Sequence, residues 1–253
     1  FDSSRDEKIL AMERIEYTGS LDADSAHIVR ITTLAVNRYI TSLRCLSVHA
    51  RLTMFELQIE FRSQKINTSL SILNKLKKNH DNDNDNGGVY DMALIDTDAE
   101  MIELEAKQAK QLSDAKVKLI SDMNNIAVMA DSTREQWLQS PEDVNVQSEI
   151  IRLRTECGST FTHYRKRQSN ICEILDNVFQ KELEFRKNMF EEAEKTDGIS
   201  TTLLEELKTS ITSENDMAET MMKEQKDESS RKISNEEYFL GYILNLCDSW
   251  GPK

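Results

Sequence analysis

Residue types able to do acid–base or metal chemistry are few and scattered in this chain. Its four histidines are His27, His49, His80 and His163. A hydrolytic zinc site needs a motif such as HExxH, and a carboxylate-bridged di-iron bundle needs paired ExxH motifs. Only Asp24-Ser25-Ala26-His27 comes near the second pattern, and it occurs once. Cys157 and His163 stand six residues apart on one expected helix and so point in different directions, which gives no nucleophile–base pair. No GxSxG, Walker A loop or GxGxxG is present, and seven scattered glycines leave little material for cradling a phosphate. The sequence therefore reads as a non-enzymatic protein that needs no metal and no cofactor.

The stretch His80 to Gly88, HDNDNDNGG, resembles the opening of a calcium loop. With Gly87 at the sixth position, Asn82, Asn84 and Asn86 take the first three ligand places and Ala93 the twelfth. A calcium loop wants aspartate first and a bidentate glutamate twelfth. Both are missing, so the stretch is expected to be a mobile connection.

Two clusters could serve binding. Arg165-Lys166-Arg167, with Arg152 and Arg154 a few turns earlier, is the notable positive run, either the solvated face of its helix or a docking patch for an acidic partner or a lipid headgroup. Near the C-terminus Phe239, Tyr242, Ile243, Leu246 and Trp250 share one helical face, and such aromatics anchor interfaces. That segment is expected either to complete the bundle's own core or to dock in a groove of a partner.

The elements that carry these residues are helices. From Ser20 to Asn86 there is no glycine or proline, and Val29, Val36, Tyr39, Leu43, Leu46, Ala50, Met54, Leu57 and Phe61 recur three or four apart. A helix over 22–78 is expected, roughly 85 Å long at 1.5 Å per residue. Asp6 to Tyr17 reads as a short helix before it, broken by Thr18, Gly19 and Ser20. A second long helix is expected over 96–138, with a weaker stripe of Ile102, Ala109, Leu112, Leu119, Met123, Ile126 and Ala130. Ser140-Pro141-Glu142-Asp143 carries a cap, a first-turn proline and two acids, and predicts the start of a third helix reaching Lys195.

The third helix shows 4-3 spacing through Cys157, Phe161, Tyr164, Gln168, Ile171, Leu175, Val178, Glu182, Phe185 and Met189, the coiled-coil pattern. Gly158 within it suggests a kink or a close backbone approach. Thr196-Asp197-Gly198 should stop it, and Thr202 with Glu205 forms a capping box for a fourth. Glu224 to Lys232 (EQKDESSRK) is polar enough to read as a hinge. Ser234 with Glu237 then caps a short last helix.

The fold class expected is all-α: an elongated antiparallel bundle of long helices with coiled-coil character, plus short terminal helices. Residues 1–232 form the bundle and 233–253 a C-terminal amphipathic helix. A formal charge of −13 and a pI near 4.9 disfavour nucleic acid and anionic membrane surfaces as partners. No apolar run approaches a membrane span. Cys45, Cys157, Cys172 and Cys247 share no metal-site spacing and read as free thiols in a reducing, cytoplasmic setting.

Three function classes fit. The first is a structural, scaffolding or adaptor protein that binds other proteins or itself as a homodimer. A dimeric membrane-binding bundle of the crescent (BAR-like) type has the helix lengths but lacks a basic face. A cell-surface or toxin-type bundle would need disulfides or an apolar hairpin.

Overall fold

The computed structural model describes residues 23–82, 88–195 and 199–249 of the chain. Four long helices account for nearly all of them: α1 (Ala23–Asn82), α2 (Gly88–Gln139), α3 (Val146–Lys195) and α4 (Thr201–Ser249). One 3₁₀ turn, Pro141–Asp143, joins α2 to α3. Among the described residues there is no strand. The protein is an all-α four-helix bundle of long contacting helices. At 60 residues, α1 runs roughly 90 Å. The expected helix over Asp6 to Tyr17 and the stop at Thr196-Asp197-Gly198 lie outside the described residues.

Side-chain pairs fix the directions. Arg38 meets Glu149 and Arg62 meets Glu182, so α1 and α3 run parallel. Phe61 and Lys65 meet Gln108 and Glu105, and Arg165 and Arg186 meet Glu237 and Asn215, so α1–α2 and α3–α4 are antiparallel, and α4, which Arg44 reaches at Glu236, runs against α1 as well. The bundle is not a closed ring. Helices α1, α3 and α4 pack together, while among the described residues the backbone of α2 comes close to that of α1 and to that of neither α3 nor α4.

The core follows from that arrangement. Val48, Leu52, Ile59 and Ile66 of α1 meet Phe161, Ile171, Leu175 and Val178 of α3 and Met222, Ile233 and Leu240 of α4. A smaller cluster sets Leu34 against Ile150, Leu153, Cys157 and Leu244, with Trp137 packed on it from the end of α2. The 4-3 seam expected in α3 is the one that is buried, and Leu175 has no exposed surface. Its two polar members are accommodated: Gln168 is half-buried beside the Cys172 sulfur, and Glu182 is held by Arg62.

The stripe expected in α1 is not its most buried one. Val29 is exposed, and Ala50 and Met54 line a niche with Ala115 and Leu119 of α2. The buried line is instead Ile31, Leu34, Val48, Leu52, Ile59 and Ile66. A helix with neighbours on several sides carries apolar residues around most of its circumference, so a single stripe understates it.

Several boundaries differ from expectation, and α2 begins at Gly88 rather than near 96. Ser140 makes no side-chain cap, and the segment Ser140–Val144 is a single 3₁₀ turn closed by Asp143 and Val144 amides. The residue that caps α3 is Asn145, whose Oδ1 accepts the Ser148 amide at 3.0 Å. At α4 the cap is Ser200, whose Oγ accepts the Leu203 amide at 3.3 Å, ahead of the expected Thr202–Glu205 box. The polar run over 224–232 is not a hinge, because α4 continues through it to Ser249. Lys226 reaches Asp176 of α3 at 2.5 Å, Glu228 pairs with Lys232 one turn on, and Ile233 is buried. Polarity there marks an outward face of a continuous helix, so there is no separate short C-terminal helix. Gly158 meets no neighbour, since a Cβ there would touch nothing within 4 Å.

Candidate interaction surfaces

The basic run on α3 is divided by its own helix. Arg167 points inward, where its Nε bonds Glu56 Oε1 at 2.5 Å, Nη2 bonds Thr53 Oγ1 at 2.9 Å and Nη1 bonds His49 Nδ1 at 3.0 Å. A second bond runs from Nη2 to Glu56 Oε2. A guanidinium can only donate, so His49 Nδ1 accepts and the ring proton sits on Nε2. Burial, with the Arg167 charge beside it, pushes the His49 pKa below its ordinary value. The cluster acts as a clamp between α1 and α3.

Arg165 is half-exposed and bonds Glu237 of α4 from Nε at 3.1 Å and again from Nη2. Glu237 thus serves a bridge rather than the expected capping box. Lys166 is exposed. Arg152 lies between Glu149 and Glu156, and Arg154 reaches Asn245. The run mostly cross-braces the bundle.

The C-terminal face is divided as well. Ile243 is buried, Phe239 is half-buried beneath the Arg44 guanidinium, and Tyr242 is half-exposed. The Leu246 side chain and Trp250 lie outside the described residues. Leu240 and Leu244, which lie between the expected positions, are buried alongside Ile243. For the described residues the segment finishes the bundle's own core.

His27 is also engaged, its Nε2 donating to the Pro141 carbonyl at 2.7 Å across the α2–α3 connection. His163 is exposed while Cys157, on the same helix, is buried. Among the described residues no three His, Cys, Asp or Glu side chains come together in a way that could hold a metal ion. No described helix is long and apolar enough to cross a membrane.

The chain matches no protein-family model, no curated protein and no solved structure.

The surface that sequence reasoning missed is on α2. Ile102, Val117, Ile120 and Val128 are each at least 60 % exposed. At 3.6 residues per turn they fall within about 80° of one another around the helix. On the opposite side, Leu104, Gln108, Leu112, Ala115, Leu119 and Ile126 are half-buried, facing α1. So α2 is apolar on two opposite faces, and only one is covered. The weak stripe seen in the sequence mixes the two, since Ile102 and Ala109 belong to the outer face and Leu112, Leu119 and Ile126 to the inner. Separating it into two stripes half a turn apart was the available signal.

Proposed function

We propose that this is a non-enzymatic structural or adaptor protein that works through protein–protein contacts along its helices. The observation that carries the reading is the outer face of α2, an exposed line of Ile102, Val117, Ile120 and Val128 on a helix that lies along α1 alone. Water-facing apolar residues are ordinary when single; four on one face of a helix, with exposed Ala106 and Ala109 between the first two, make a surface suited to contact. The shape that fits such a narrow ridge is another helix, seated between flanking charges such as Glu103, Lys110 and Lys116 in coiled-coil fashion. The occupant we assign is therefore a helix of a second protein molecule. A cytoplasmic location goes with this reading, since Cys45, Cys157 and Cys172 are unbridged thiols.

The test is the double variant Val117→Glu/Ile120→Glu, which charges the outer face and leaves the α1-facing side intact. Tagged wild type and variant are sedimented from gently lysed cells after chemical cross-linking. The expectation is that wild type travels in a complex larger than one chain and the variant as a monomer, with unchanged helicity and melting temperature. A wild type that is monomeric in those conditions, or a variant that keeps the complex, overturns the assignment.

A further inference from the structure

The outer face of α2 matches itself when the helix is turned end over end. Ile102 and Ile120 are both more than half exposed and stand about five turns apart, so they point the same way. Between them Ala106, Ala109, Ser113 and Val117 are exposed on the same side. A two-fold axis level with Lys110 and Gln111 sets a second α2 antiparallel against the first. Each Ile102 then lies opposite Ile120 of the other copy and each Ala109 opposite Ser113, while each Val117 falls between Ile102 and Ala106 of the other copy. The same axis brings each flank of the ridge against its own likeness. On one flank Glu105 comes level with Lys116 of the other copy, and on the opposite flank Lys107 comes level with Asp114. Symmetry makes each pairing twice.

We propose that the occupant of this face is a second copy of the chain, its α2 packed antiparallel on the first over 102–120. The proposal rests on the reading of that face as a contact surface and names its partner. Charge carries the choice. Glu105, Lys107, Asp114 and Lys116 are all exposed, and among the described residues the last three join no ion pair. Glu105 has a contact with Lys65 that is long, at 3.8 Å, and exposed at both ends. These charges are therefore available, and their order along α2 complements the same order read backwards. Flanking charges so placed set partner and orientation in helix pairs, and antiparallel seating also opposes the two helix dipoles. The like-charge approach of Lys110 to itself at the axis is tempered, because each lies within a turn of Asp114 of the other copy. Since α1 lies on the inner side of α2, both bundles point away from the shared seam.

The experiment is sedimentation velocity on the purified full chain over rising concentration, with Glu105→Lys and Lys116→Glu made as separate variants. Wild type is expected to be a dimer that Val117→Glu/Ile120→Glu converts to monomer. Each flank variant sets like charges level with each other twice and should weaken self-association roughly tenfold. An equimolar mixture of the two, with a tag on one, should associate as tightly as wild type, because opposite charges face each other again at both places. All these sites are exposed, and unchanged helicity shows that the variants fold. A purified wild type that stays monomeric overturns the second copy as occupant. If the complex from cells still depends on Val117 and Ile120, the contact-surface reading then stands with another partner. A dimer indifferent to Val117→Glu/Ile120→Glu is built elsewhere on the molecule and overturns both. A mixture that associates no better than either flank variant alone overturns the antiparallel pairing.

Discussion

Arg62 on α1 holds Glu182 on α3 with two parallel bonds, from Nε to Oε1 at 2.5 Å and from Nη2 to Oε2 at 2.6 Å. Glu182 occupies a seam position where the 4-3 pattern calls for an apolar residue, and it is 9 % exposed. A buried carboxylate at that place is tolerable because a forked guanidinium meets both oxygens. Arg186, one turn on at 4.0 Å, adds a weaker contact and also reaches Glu214 on α4 at 3.4 Å. The pair fixes the axial register of α1 against α3.

Removing one partner should therefore hurt more than removing both. Arg62→Ala is expected to destabilise by about 1–3 kcal/mol, because the carboxylate stays buried without its fork, moderated by the solvent that reaches Arg62. Arg62→Met combined with Glu182→Leu should recover to within about 1 kcal/mol of wild type. Urea titrations of the two variants measure this. An Arg62→Ala midpoint equal to wild type would show that the bridge contributes nothing.

His49 makes stability depend on pH with a definite sign. In the unfolded chain the imidazole titrates near 6.5, and in the fold its pKa is lower, chiefly through burial and then through Arg167. The unfolded chain thus binds more protons through this window. The contribution is present in full above pH 6.5 and is lost as pH falls through the folded value. His49→Asn keeps an acceptor near the Nδ1 position and removes the titration. Its urea midpoint is expected to change less between about pH 7 and about pH 5 than that of wild type. Equal slopes for the two proteins would refute the assignment.

Gly158 offers the opposite kind of test, a gain. It lies inside α3 with open space where a Cβ would go. Gly158→Ala should stabilise the protein by about 0.5–1 kcal/mol through helix propensity alone. A destabilised variant would mean that a neighbour does approach this position closely.

The sequence made the helices legible because breakers are so rare: Gly19, the pair Gly87-Gly88, Pro141 and Gly198 punctuate it and little else does. It made the α3 seam legible because α3 packs one dominant face, with Phe161, Ile171, Leu175 and Val178 repeating in 4-3 register. The hinge expected over 224–232 came from treating polarity as a break, when Lys226 and Glu228 were simply on an outward face that bridges to neighbours. The basic run looked like a patch because linear proximity hides direction: at 100° per residue Arg165 and Arg167 turn toward different helices. Caps were misplaced because several Ser, Thr and Asn residues stand near each end, and the choice of Asn145 over Ser140 depends on the 3₁₀ turn between them. The open arrangement was least legible, since which helix neighbours which is decided by contacts far apart in the chain.

That arrangement also divides the molecule into parts of unequal tenacity. Among the described residues no α2 side chain is fully buried, whereas α1, α3 and α4 share the deeply buried core. Detaching α2 would give up one helix interface and leave Leu175, Phe161 and Leu240 in place. The backbone amides of α2 should therefore exchange with solvent hydrogen through a partial opening well below the free energy of global unfolding, while those of α3 wait for the whole fold to come apart. A ligand that clasped the free side of α2 would slow that exchange along the helix, a protection footprint readable without knowing the ligand's name.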